Sequence, residues 1–123
     1  MAFIADYVFD AALTTLDTEG DALYITSTEA TTYTEAITTY ALGSKTALSI
    51  GAPEAGDTSG RKVVVASFSD GSVTGTGTAS HWAIVDVSET RLLATGALSA
   101  SQAVTSGNTF SLAAFDIEIN DPS

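Results

Sequence analysis

The chain has 123 residues, no cysteine, and 15 acidic residues against four basic ones, which gives a formal net charge of -11. A surface of this charge repels phosphate, so the composition disfavours nucleic-acid binding and attachment to an anionic membrane. Without cysteine the chain can form neither disulfides nor thiolate metal sites, and no apolar run approaches the ~20 residues of a membrane-spanning helix. The length predicts a single domain over 1–123.

The N-terminal segment predicts an amphipathic helix over about 4–18. Asp6 lies in its first turn, where the helix dipole favours an acid, and Gly20 is well placed to end it. Apolar residues recur at helical spacing, and we expect the resulting stripe to face the core. The stripe consists of Ile4, Val8, Ala11, Ala12 and Leu16.

The next third of the chain alternates strand and turn signals. Residues 22–27 predict a strand with Leu23 and Ile25 on one face and Tyr24 on the other. Thr32 and Glu35 match a capping box, which favours a short helix over 33–40. A strand over 41–50 should follow, with a bulge or turn at Gly43-Ser44, and 51–60 is the longest loop signal.

The most apolar strand is predicted over 61–69, followed by a hairpin turn at Asp70-Gly71. Residues 73–79 alternate threonine with glycine, and glycine within a strand marks the close approach of another group. We expect Trp82, in an interior strand over 81–87, to lie against this glycine face.

The C-terminal third predicts a turn at 88–90, a strand over 91–95, a connection over 97–103 and a turn at 106–108. A last strand over 109–119 changes parity near Ala113-Ala114, which indicates a bulge. Short strands spaced in this way, from about 22 to 119, predict a mainly β fold. The expected fold is an antiparallel β-sandwich or jelly-roll-like domain with a short N-terminal helix.

Three groups of residues could carry chemistry, and each has a simpler explanation. The run from Asp17 to Asp21 resembles the start of a calcium loop but lacks the required Gly and Glu, which are Ala22 and Thr28 here. Ser80, His81 and Asp86 invite a triad interpretation, but neighbouring strand residues point to opposite faces. Asp116 and Glu118 fit the solvated side of a half-buried strand. We therefore predict no catalytic, cofactor-binding or metal site.

Two other predictions concern packing. Trp82 should anchor the core together with Ile84, with Val64, Leu92, Phe110 and Phe115 nearby. The stretch 97–114 carries no charge in an otherwise acidic chain, so it is the best candidate for contact with a partner or with a second copy. Its candidate contact residues are Leu98, Ser101, Gln102 and Val104.

The order of several short phrases carries a resemblance over nearly the whole chain. The phrases are TTYTEA (31–36), YALGSKT (40–46), GRKV (60–63), DGSVT (70–74), GTASHWA (77–83), RLLA (91–94), VTSGNTF (104–110) and AFDI (114–117). Together they resemble a family of small, largely uncharacterised virion structural proteins of tailed bacteriophages. The resemblance implies a virion component present in many copies, and not an enzyme.

The leading interpretation of that resemblance is a homo-oligomeric protein that decorates or cements the capsid surface, bound to the major capsid protein. The main alternative is a tail, collar or fibre component of the virion. A third possibility, from another functional class, is a small carbohydrate-binding module, which would need exposed aromatic side chains. The candidates for that role are Tyr24, Tyr33, Tyr40 and Trp82.

Overall fold

A computed structural model describes residues 4–120 of the chain. One α-helix, α1 (Asp6–Glu19), precedes the strands, and a short π-helix (Glu35–Thr39) follows the first of them. The predicted mainly β class with an N-terminal helix is confirmed. The strands are β1 (Ala22–Thr26), β2 (Ala41–Thr46), β3 (Glu54–Ala55), β4 (Arg61–Val65), β5 (Phe68–Val73), β6 (Gly77–Asp86), β7 (Arg91–Val104), β8 (Thr109–Leu112) and β9 (Phe115–Ile119).

The strands form two antiparallel sheets, which belong to two compact units. The sheet unit (Gly20–Leu48 and Phe68–Leu112) contains a curled, half-barrel sheet of six strands in the order β7-β6-β1-β2-β5-β8. The helix unit contains α1 and a three-stranded sheet in the order β3-β4-β9. Its described residues are 4–19, 49–67 and 113–120. The prediction of one domain over 1–123 stays a prediction.

Within the helix unit, α1 packs on β4, and the buried face of the helix differs from the predicted stripe. Phe9 and Leu13 are the buried residues of the helix. Ile4, Val8, Ala11 and Ala12 are exposed instead, so the predicted core stripe is wrong except for the half-buried Leu16. The larger side chains of Phe9 and Leu13 bury more apolar surface than a stripe rich in alanine, which explains the choice of face.

β1 and β6 are neighbouring interior strands of the six-stranded sheet, and residues on both of their faces are buried. Leu23 pairs with Ile84 and Ile25 pairs with Trp82 on one face, as the predicted alternation requires. On the opposite face Ala22, Ala83 and Val85 form a small core with Ala30 and Ala36. Packed against that core are the half-buried side chains of Tyr24, Tyr33, Ile37, Tyr40 and Leu92.

The predicted capping box starts the short helix after β1. The Glu35 amide donates to the Thr32 hydroxyl at 3.1 Å, and the Glu35 carboxylate accepts from the Thr31 amide and hydroxyl, each at 2.8 Å. These hydrogen bonds hold the pKa of Glu35 below its usual value, those from Thr31 most strongly.

The predicted bulge of β2 lies at Leu42, while Gly43 and Ser44 pair with β1 and β5 and form no turn.

Asp70-Gly71 is not a hairpin turn, because both residues lie inside β5. A Cβ on Gly71 would lie 2.4 Å from the Phe110 ring, so this glycine makes room for an aromatic side chain instead. Phe110 in turn packs edge-on against Phe68, with ring centroids 5.6 Å apart. The predicted strand over 73–79 is interrupted at 74–76, since β5 ends at Val73 and β6 begins at Gly77, so 77–79 belong to β6 as its first residues.

Two predicted strands are each divided between the two sheets. The strand expected over 61–69 becomes β4 of the helix unit and the start of β5 in the sheet unit. The strand expected over 109–119 becomes β8 and β9, and the parity change at Ala113-Ala114 marks the passage from one sheet to the other. Val64 and Phe115 therefore belong to the helix unit and not to the sheet that holds Trp82.

Candidate functional site

β7 and β8 are the two edge strands of the six-stranded sheet, and Arg91 at the start of β7 is the one charged residue in either of them. No charged residue occurs between Arg91 and Asp116. The turn between the strands is tied to the sheet, because the Ser106 amide donates to the Thr76 hydroxyl at 3.1 Å. Gly107 in this turn has a φ of 92°, which explains the glycine of the predicted turn.

β7 continues through the segment that the sequence predicts as a connection. His81 pairs with Ala97 and Ala79 pairs with Gln102, so the four residues 98–101 of β7 lie opposite the single residue Ser80. We call this segment the β7 bulge (98–101). A bulge of this size bends the strand and leaves its backbone groups outside the ladder.

The structure brings two of the four predicted contact residues, Leu98 and Ser101, together in the β7 bulge. Ser101 is exposed and Leu98 is half-buried. Gln102 pairs with Ala79, and its side-chain amide donates to the Ser111 carbonyl of β8 at 3.4 Å. Val104 is only 9% exposed, so its side chain belongs to the interior of the sheet unit and not to a contact surface.

Trp82 is 8% exposed, which confirms that it is buried. The ring does not lie against the glycines of 73–79, because Gly75 and Gly77 face Leu42. A Cβ on Gly96 of β7 would lie 2.5 Å from Trp82 Cζ2, so the ring packs on Gly96 in the neighbouring strand. The role of Gly96 cannot be predicted from the sequence, because a lone glycine in an apolar run gives no sign of which aromatic residue it faces.

The side chains of Ser80 and His81 meet, contrary to the expectation that they point to opposite faces. Ser80 lies at the irregularity in the β6–β7 pairing, and its Oγ is 2.7 Å from His81 Nδ1. Ser80 Oγ also donates to the Ser27 carbonyl at 3.0 Å. Because the hydroxyl has one hydrogen, both contacts are hydrogen bonds only when Nδ1 carries the imidazole proton and donates to Ser80.

In that arrangement His81 donates to Ser80 and does not accept its proton, as a general base would. Asp86 is five residues further along β6, about 17 Å by the rise of a strand. Its carboxylate is buried and accepts hydrogen bonds from the Ser88 hydroxyl at 2.7 Å and the Glu89 amide at 3.1 Å. Asp86 therefore caps the turn after β6, and the three residues do not assemble as a triad.

The residues of the possible calcium loop do not form a loop of that kind. Asp17 and Glu19 lie in the last turn of α1 and not in a loop. The Asp21 carboxylate accepts hydrogen bonds from the amides of Val87 at 3.0 Å and Ser88 at 3.4 Å. Residues 4–120 contain no group of three or more histidine, aspartate or glutamate side chains that could hold a metal ion.

Lys62 lies at the centre of the most charged cluster in the helix unit. Its Nζ is 2.6 Å from Asp57, 3.1 Å from Asp116 and 3.9 Å from Glu54. The hydrogen bonds that Lys62 donates to the Asp57 and Asp116 carboxylates raise the pKa of Lys62 well above its usual value, and the Lys62 ammonium lowers the pKa of Asp57. We call these four residues the Lys62 cluster.

Asp116 and Glu118 are therefore not simply the solvated side of β9. Asp116 belongs to the Lys62 cluster, and Glu118 accepts a hydrogen bond from the Asp57 amide. The two carboxylates hold the loop before β4 against β9, which a count of alternating residues within one strand could not show.

No helix among residues 4–120 is long and apolar enough to cross a membrane. The chain was also compared with known proteins. No protein-family model, no curated protein and no solved structure matches it.

Proposed function

We propose that this chain is a non-enzymatic structural protein of a tailed-bacteriophage virion, and that it decorates or cements the capsid shell. The ordered phrases that resemble the phage family support this proposal. The structural observation that carries it is that both edge strands of the six-stranded sheet are uncharged from Leu92 to Leu112, after Arg91 at the start of β7.

The edges matter because an edge strand presents unpaired backbone amides and carbonyls. Soluble proteins usually protect such edges with lysines, prolines or very short strands. β7 has 14 residues and no proline, and Arg91 at its start is its one charged residue. In a chain of net charge -11, an uncharged edge is the surface on which identical subunits or a capsid lattice can approach with least repulsion.

The proposed partners are other copies of the chain and the major capsid protein, and the proposed location is the capsid surface. The β7 bulge and the neighbouring 105–108 turn form the proposed contact, with Leu98, Ser101 and Gln102 as its nearest side chains. Few long side chains lie there, so close contact costs little side-chain entropy. The predicted sandwich or jelly-roll arrangement fits the same role and stays a prediction.

Copy number in purified particles tests the proposal. Hundreds of copies per particle, counted by quantitative mass spectrometry against the major capsid protein, are expected for a decoration protein. A few dozen copies or fewer would contradict capsid decoration and favour the alternative, a tail, collar or fibre component.

Light scattering of the isolated protein, with binding to empty capsids, tests the contact surface. Ala100→Asp adds a charge to the exposed β7 bulge and should weaken self-association and capsid binding. Ala52→Asp is the matched control, because it adds the same charge at an exposed loop position of the helix unit. A strict monomer that also fails to bind capsids contradicts the decoration proposal.

The carbohydrate-binding alternative has less support. Trp82 is buried, and Tyr24, Tyr33 and Tyr40 pack around the alanine core of the sheet unit. A sugar-binding face would need such rings to stand open to solvent. Binding of the protein to a glycan array would favour this alternative over a virion role.

A further inference from the structure

α1 carries an apolar face that nothing in the described part of the chain covers. Tyr7 is 82% exposed and Val8 is 55% exposed, and Ile4, just before the helix, is 37% exposed. These are three of the four large hydrophobic side chains that are exposed among residues 4–120. Single exposed apolar residues need no explanation, but a group of them at helical spacing marks an interaction surface.

The same face continues along the helix with small residues. Ala11, Thr15 and Thr18 follow Val8 at spacings of three and four, so they lie on one side of the helix. A shallow open groove runs beside them, and its described lining includes Tyr7, Ala11, Thr14, Thr15 and Thr18. Small side chains let another helix approach closely, while Tyr7 and Val8 provide apolar area. We call Tyr7, Val8, Ala11, Thr15 and Thr18 the outer face of α1.

The charges of α1 decide what kind of partner this face fits. The helix contains Asp6, Asp10, Asp17 and Glu19 and no basic residue. Asp6, Asp10 and Asp17 recur at spacings of four and seven, which places them together along one flank of the outer face. Asp10 is bound by Arg61, with 2.8 Å between Nε and Oδ1. Asp6 also acts on Arg61, whose pKa it helps to raise.

A second copy of this chain packed antiparallel to the first is a poor occupant of the outer face. An antiparallel pair of identical helices places the same flank of each helix side by side, so Asp6 of one copy would lie near Asp17 of the other. Like charges that face each other in this way destabilise a helix pair. A partner that places lysine or arginine along the same flank converts the repulsion into attraction.

We propose that the outer face of α1 is a docking surface for an amphipathic helix of another protein whose apolar stripe is flanked by lysine or arginine. The apolar stripe packs on Tyr7, Val8 and Ala11, and the basic residues lie against the acidic flank. This mode of recognition lays one amphipathic helix along another by residues spaced three and four apart. The inference stands on α1 alone and does not depend on a virion role.

The test uses the full chain and three synthetic helical peptides of about 18 residues, long enough to form a helix on binding. One peptide has an alanine–leucine stripe flanked by lysine, the second has glutamate in place of lysine, and the third keeps the lysines but has serine in the stripe. Calorimetry should detect binding of the first peptide only. Amide shifts in NMR spectra should map it to Tyr7, Val8, Ala11 and Thr15.

Val8→Lys should weaken binding of the first peptide by about tenfold or more, since it removes apolar contact and adds a like charge. Val87→Lys is the matched control, because Val87 is the remaining exposed large hydrophobic residue at 46% and lies in the sheet unit. Both substitutions are at exposed positions, and thermal unfolding confirms that each variant is folded. Three results would each overturn the proposal. They are no binding of the first peptide below about 1 mM, equal binding of the glutamate peptide, and equal weakening by the two variants.

Discussion

Gly96 is the residue that allows the only tryptophan of the chain to pack on a neighbouring strand. Its place in β7 is opposite Trp82 in the register of β6 and β7. An added Cβ would lie 2.5 Å from Cζ2 and 2.9 Å from Nε1 of the indole, closer than real Cβ contacts. β7 therefore needs glycine at this position for contact and not for a turn.

We predict that Gly96→Ala destabilises the protein by about 1–3 kcal/mol, because the extra methyl overpacks the Trp82 site. Gly75→Ala is the control, since its Cβ would meet only ordinary contacts at 3.6 Å and beyond. Trp82→Ala should cost about 3–5 kcal/mol. Urea unfolding measures all three, and the cost of Gly96→Ala should disappear when Trp82 is already alanine. A cost that persists there would show that the indole is not the cause.

The Lys62 cluster is the second feature in which a single residue should affect the stability of the protein. Lys62 binds three carboxylates from the loop before β4, from β3 and from β9, although its side chain is only 13% exposed. Its aliphatic stem is therefore packed while its ammonium is neutralised. Because the cluster joins segments that are far apart in the chain, its loss should lower the stability of the protein against global unfolding.

We predict that Lys62→Met lowers the melting temperature at neutral pH more than Arg91→Met, whose carboxylate partner Glu89 is 62% exposed. The pKa of Asp57 is lowered in the folded protein, so its contribution is present above its ordinary value of 3.8 and is lost as the pH falls through the folded value. The pKa of Lys62 is raised, so its contribution is present below its ordinary value of 10.5 and is lost only as the pH rises through the higher folded value. The difference in melting temperature between Lys62→Met and the parent should therefore shrink toward about pH 2. A constant difference from neutral to acidic pH would contradict the ion-pair explanation.

At the scale of elements, α1 has two faces that carry apolar residues, and only one of them is buried. Phe9 and Leu13 form the buried face, at 4% and 1% exposure, while Tyr7 and Val8 form part of the outer face. Spacing alone supports either face, since both recur at helical intervals. Phe9 and Leu13 are wholly apolar whereas Tyr7 carries a hydroxyl, and the helix packs on β4 with Phe9 and Leu13 as its buried residues.

We predict that Leu13→Ala destabilises the protein by about 2–5 kcal/mol, as expected for a fully buried leucine. Val8→Ala should change the free energy of unfolding by less than about 0.5 kcal/mol, because the side chain is exposed. Chemical unfolding followed by circular dichroism measures both. The reverse order of the two values would restore the helix face that the sequence predicts.

At the scale of the whole molecule, the chain passes between its two units more than once. The helix unit takes three separate segments of the chain, and the sheet unit takes the two between them. Each sheet is therefore completed by residues distant in sequence: β4 pairs with β9, and β2 pairs with β5. Such long-range pairing predicts folding slower than that of a helical protein of the same size.

We predict that a chelator leaves the melting temperature of the whole protein unchanged. The Asp57 and Asp116 carboxylates lie close together in the helix unit, but both are paired with Lys62. The Asp21 carboxylate accepts a hydrogen bond from the Val87 amide. Differential scanning calorimetry with and without EDTA measures this. A drop of several degrees that calcium restores would indicate a metal site that involves Asp17 or Asp21.

The sequence by itself determined the mainly β class, the N-terminal helix, the capping box at Thr32 and the turn at Gly107. It also determined the burial of Trp82 and Ile84. These features follow from local chemistry, because alternation, capping and turn preferences act between residues a few positions apart. The lack of charge in 97–114 is likewise visible in the sequence, whereas its location at the edges of the sheet is not.

Only the tertiary structure decided which face of α1 is buried, how 61–69 and 109–119 divide between two sheets, and which glycine lies under which ring. Each of these depends on contacts between residues far apart in the chain. Gly71 is part of a predicted turn and Gly96 has no predicted role, yet both lie inside strands beneath the rings of Phe110 and Trp82. A glycine in the sequence can indicate a turn or bulge, or it can make room for a neighbouring side chain. Which role applies depends on a residue that only the tertiary fold brings close.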